Sequence, residues 1–89
     1  MPTPHEMYDA AVRLKDQGDL AGAIAQLKKV LEVDPGHTDS HSALAGYLQR
    51  TNQFDDAIQH AQKVVELLPN DAFSYTQLSV IYMRCGRIP

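Results

Sequence analysis

The chain has 89 residues, 44% of them hydrophobic and 21% charged, and a net charge of -3. This is the length and composition of one small soluble domain with a thin core. The charge offers no basic patch for nucleic acid, no apolar run reaches the ~18–20 residues of a membrane span, and the single cysteine, Cys85, has no intrachain disulfide partner.

The N-terminal run Met1-Pro2-Thr3-Pro4-His5-Glu6 lacks the basic start and apolar stretch of a secretory signal. With the lone cysteine, this fits a reducing, cytoplasmic setting. Thr3 and Glu6 have the spacing of a capping box, and Pro4 falls at the first helical position, where a missing N–H costs nothing. A first helix follows, with Met7, Ala10, Ala11 and Leu14 at helical spacing, and Gly18 stops it. Asp19 is placed to cap a second helix from about Leu20 to Val33. Its buried stripe is Leu20, Ala23, Ile24, Leu27, Val30 and Leu31, with Lys28, Lys29 and Glu32 facing water. Asp34-Pro35-Gly36 ends it, because proline disfavours helix in the residue before it. A third helix carries Leu44, Ala45, Tyr47 and Leu48 and ends near Thr51-Asn52. A fourth carries Phe54, Ala57, Ile58, Ala61, Val64, Val65 and Leu67, with Asp55 and Asp56 in its first turn to suit the helix dipole. Leu68-Pro69-Asn70-Asp71 breaks it. A fifth carries Phe73, Tyr75, Leu78, Val80, Ile81, Tyr82 and Met83, and stops at Gly86. No segment alternates with period two, so the chain is all-helical, and its short connections make neighbouring helices antiparallel.

The elements repeat. Pro35 and Pro69 lie 34 positions apart, and at that step Ala11 returns as Ala45, Leu14 as Leu48, Ala23 as Ala57, Ile24 as Ile58, Lys29 as Lys63 and Arg50 as Arg84. The first helices read Met7-x2-Ala10-Ala11-x2-Leu14, His41-x2-Leu44-Ala45-x2-Leu48 and Tyr75-x2-Leu78-Ser79-x2-Tyr82. The second helices add Ala23-x3-Leu27 and Ala57-x3-Ala61, each closed by a proline. This pattern resembles the tetratricopeptide repeat family, with Met7 and His41 in place of the usual aromatic and Val30 and Val64 in place of a usual alanine. The resemblance implies one domain over 1–89, a right-handed superhelical array of antiparallel helix pairs. Its repeats span about 4–37 and 38–71, with an incomplete third over 72–89.

The same resemblance implies a non-catalytic protein–protein interaction module whose first helices line a concave groove for a peptide or partner helix. Helical geometry and the family pattern place His5, Tyr8, Val12 and Lys15, then Asp39, Ser42, Gly46, Gln49 and Arg50, then Phe73, Thr76, Val80, Met83 and Arg84 on that groove. Tyr8 and Phe73 are candidate anchors, and Arg50 with Arg84 a candidate carboxylate grip. The clamp by which some relatives hold chaperone C-termini is not matched, since its positions carry Tyr8, Val12, Ala43, Phe73 and Gln77. Two alternatives compete with groove binding. The fifth helix looks apolar nearly all round, so Tyr75, Leu78, Ile81, Tyr82 and Ile88 are expected to form a self-association face of a homodimer; or the chain is a fragment of a longer repeat protein.

Chemistry finds little support. His37 and His41, with Asp39 between them, have a two-ligand spacing that falls short of a metal coordination set. His5 and His60 read as solvated. Cys85 lies near Arg84 and Arg87, a setting that favours thiolate, yet no base or nucleophile motif accompanies it. Neither cofactor nor metal is expected.

Overall fold

The computed structural model describes residues 2–86. They form five helices in order: α1 (Pro4–Asp16), α2 (Leu20–Val33), α3 (Thr38–Arg50), α4 (Phe54–Leu67) and α5 (Ala72–Arg84). No strand occurs among the described residues.

The helix ends follow from local chemistry. Thr3 Oγ1 accepts from the Glu6 amide at 3.1 Å, and a Glu6 carboxylate oxygen accepts from the Thr3 amide at 3.1 Å, a complete capping box. Asp19 accepts from the Gly22 amide at 2.9 Å. The α1–α2 and α3–α4 turns are copies of each other: Asp19 N–H donates to Leu14 O, and Gln53 N–H to Leu48 O. Both need a residue of positive φ, supplied by Gly18 at 87° and Asn52 at 63°. The two proline turns match as well, with His37 N–H bonded to Asp34 O and Asp71 N–H to Leu68 O.

Each helix packs chiefly on its chain neighbours, α1 on α2, α2 on α3, α3 on α4 and α4 on α5. The result is a slab of 44 × 28 × 17 Å, two helix layers deep. Ala11, Ala23, Ala45, Ala57 and Ala61 are fully buried where helix backbones approach, and Leu27, Leu44, Leu48 and Ile81 fill the space between them. One hydrophobic cluster runs from Ala11 on α1 to Ile81 on α5.

Two expectations are corrected. Ile81, assigned to an exposed self-association face, is fully buried, and Leu78 and Tyr82 pack partly against the core cluster. The reason is that α5 docks on α4 through this side, where the Tyr82 hydroxyl also accepts from Gln62 Nε2 at 2.9 Å. Of that face, Tyr75 stays exposed, and Ile88 lies outside the described residues. His60 is half-buried, not solvated, because it faces His41 across the α3–α4 interface.

Candidate partner-binding groove

Helices α1, α3 and α5 lie side by side in one layer, and named contacts tie them. Tyr8 on α1 lays its ring against His37 at the start of α3, centroids 5.6 Å apart. Gln77 on α5 bridges to α3 twice: its Nε2 donates to Ser42 O at 2.9 Å, and Ser42 Oγ donates to its Oε1 at 3.2 Å. The 34-residue step then stacks equivalent positions across the layer. His5, Asp39 and Phe73 form one row, Tyr8, Ser42 and Thr76 the next, then Val12, Gly46 and Val80, then Lys15, Gln49 and Met83.

The first and last of these rows run from polar residues on α1 and α3 to an apolar one on α5. Phe73 is 68% exposed, Met83 63% and Val80 39%, although all three are large apolar side chains. Above Gly46 the surface is open, with no atom within 4 Å of where a Cβ would stand. Arg50 and Arg84 are exposed, and neither makes an ion pair among the described residues.

Tyr8, Lys15, Tyr47 and Arg50 gather at the α1–α3 boundary. Burial holds the Tyr8 phenol above its ordinary range, with the Asp39 carboxylate, Tyr47 and Asp9 adding to it and Lys15 opposing. The Lys15 ammonium is held up by its hydrogen bond to Asp16, 2.9 Å away, and by the fields of Asp16 and Tyr47, while Arg50 opposes. Tyr47 is half-buried, packs against the core cluster and lies close enough to Tyr8 and Lys15 to act on both. Gln77 falls at a clamp position that it does not match, and no sequence signal marks a side chain that meets a backbone 35 residues away.

The chemically suggestive residues are engaged otherwise. His37 Nδ1 accepts from the Ser40 amide and caps α3. Both ring nitrogens of His41 are in hydrogen bonds. Cys85 is half-buried at the end of α5, its Sγ directed to Tyr82 O at 3.4 Å.

Residues 14–79, more than half of the chain, match the tetratricopeptide repeat family. The chain belongs to that family. Human interferon-induced protein with tetratricopeptide repeats 2 is 30% identical over 71 residues, covering 79% of this chain and 15% of that protein. Among solved structures, the MamA RS-1 ArsTM double mutant aligns with a TM-score of 0.85 at 26% identity, over 94% of this chain and 47% of that one. A tetratricopeptide repeat domain protein from Salinibacter ruber aligns with a TM-score of 0.77 over 93% of this chain and 96% of its own. At 19% identity that likeness speaks to fold alone. The chain thus spans a small part of the human relative and under half of the MamA structure. Tetratricopeptide repeats are generally protein–protein interaction modules and scaffolds rather than catalysts. No described helix is long and apolar enough to cross a membrane.

Proposed function

We propose that this tetratricopeptide protein binds a peptide or partner helix along the α1–α3–α5 layer. The observation that carries the reading is the exposure of Phe73, Val80 and Met83 on the same layer as Arg50 and Arg84, which make no ion pair among the described residues. A partner that seats apolar side chains on α5 removes that surface from water, at about 25 cal/mol per Å² of apolar area. A carboxylate on the same partner meets Arg84 or Arg50 in a charge-assisted hydrogen bond. Tyr8 anchors the other end, its ring already fixed against His37 and so ordered before binding.

The test is selection of binders from a random peptide library on the natural protein, followed by affinity measurement on variants. Tyr8→Ala, Phe73→Ala and Arg50→Ala are each expected to weaken the selected peptides by tenfold or more, about 1.4 kcal/mol or greater. Peptides indifferent to all three substitutions place recognition elsewhere. Light scattering over a concentration series separates the homodimer alternative. A dimer dispersed by Tyr75→Asp, the exposed member of the proposed self-association face, with no peptide binding, replaces the groove reading.

A further inference from the structure

His41 and His60 form a polar cluster that groove binding leaves unused. His41 on α3 is 7% exposed. Its Nε2 lies 2.8 Å from Pro35 O, in the turn between α2 and α3. Its Nδ1 lies 3.0 Å from His60 Nδ1 on α4. The rings tilt at 36° with centroids 5.2 Å apart. One imidazole therefore ties the inter-repeat turn, α3 and α4 together.

The protons in this cluster are fixed by chemistry. A carbonyl oxygen only accepts, so His41 Nε2 carries hydrogen. In the neutral ring Nδ1 is then bare and accepts, so His60 Nδ1 carries the hydrogen between them. That leaves His60 Nε2 bare. A first added proton goes there without disturbing either bond. A second has only His41 Nδ1 to occupy, which sets N–H against N–H at 3.0 Å and breaks the contact.

The protein's other repeats show what the same positions do without imidazole. One repeat on, Tyr75 stands where His41 stands, and its hydroxyl donates to Pro69 O at 2.9 Å. One repeat back, Gln26 stands where His60 stands, and its Nε2 donates to Met7 O, the residue equivalent to His41. Both neighbouring joints are made with groups that do not titrate between pH 5 and 8. Only the middle joint is made with two that do.

We propose that His41 and His60 are a proton-sensitive latch, closed at neutral pH and opened by acid, that sets how firmly the first two repeats are joined. The charges around the pair agree. His60 is held below its ordinary value of 6.5, first by burial, then by the neighbouring His41; Asp56 on its own helix opposes this, and Lys28 on α2 adds to it. That burial penalises the first proton as well, so stability is full above pH 6.5 and begins to fall with acid even before a second proton breaks the contact. Opening frees Pro35 and the turn that leads to His37, on which the Tyr8 ring rests.

The test uses the whole chain and needs no partner. Urea denaturation from pH 7.5 to 5 is compared for the natural protein, His60→Gln and His41→Tyr, the last two copying the first and third repeats. The unfolding equilibrium constant of the natural protein is expected to rise severalfold more on acidification than that of either variant. His5 and His37 remain in all three, so their contributions cancel. Equal pH slopes in all three overturn the latch. If His41→Tyr does not fold, the milder His60→Gln still decides. Nitrogen-15 NMR of the natural protein at pH 7.5 adds an independent check: hydrogen on His41 Nε2 and His60 Nδ1 is required, and the opposite tautomers refute the proton assignment.

Discussion

Gly18, Asn52 and Gly86 occupy one position of the repeat, and all three have positive φ. Only Asn52 carries a side chain there, and asparagine is among the few residues that enter this region at modest cost. A Cβ on Gly18 meets no atom within 4 Å, so Gly18→Ala isolates backbone conformation from crowding. It is expected to lower stability by about 1–2 kcal/mol, the penalty of a left-handed alanine. Asn52→Gly is expected to stay within about 0.5 kcal/mol of the natural protein, since relief of strain offsets the looser unfolded chain. Urea denaturation of both variants measures the difference, and equal losses would show that the loop, not its dihedral angle, is what matters. This position was legible in the sequence because handedness is a property of one residue. The Gln77–Ser42 bridge and the His41–His60 contact were not. They depend on which side chains meet after two helices have packed, and no local pattern encodes that.

Among the helices, α1 relies most on its own ends. Ala11 is its only fully buried residue, whereas α2, α3 and α4 each bury four or more. Its start is held by the reciprocal Thr3–Glu6 bonds. Thr3→Ala is expected to cost about 0.5–2 kcal/mol and to fray the first turn. The Glu6 carboxyl is held below its ordinary value of 4.5, chiefly by its bond from the Thr3 backbone. A lowered carboxyl contributes fully above pH 4.5 and loses its contribution as the pH falls through the folded value. Circular dichroism between pH 6 and 3 should therefore show α1 signal lost in acid by the natural protein and less so by Thr3→Ala, whose return bond is already loosened. Parallel curves would mean that the box adds nothing at this exposed end. The existence of all five helices and where each one stops are readable, because caps, glycines and prolines act within a few residues of themselves. The cap of α3 was missed, since histidine at His37 does the work that serine or aspartate usually does.

In the whole molecule, the helices form a line in which each touches mainly its chain neighbours, so order at one end depends on every joint before it. The joint of α5 rests on Ile81, the large side chain of that helix that is fully buried. The apolar character of α5 was plain in the sequence, but not its division. Ile81 faces the core, while Phe73, Val80 and Met83 remain outside. Ile81→Ala removes buried methyl groups and leaves a cavity, a change expected to cost about 2–5 kcal/mol. In a linear stack that loss falls mainly on one end. Amide hydrogen exchange should show protection falling in α5, and with it the Gln77 bridge to Ser42, while α1 to α3 keep theirs. Affinity for groove-selected peptides should fall too, although Ile81 touches no groove surface, because the Phe73–Val80–Met83 stripe loses its fixed position. A uniform fall in protection across all five helices would instead show that the continuous cluster from Ala11 to Ile81 melts as one unit, and that the repeats have no separate stability at this length.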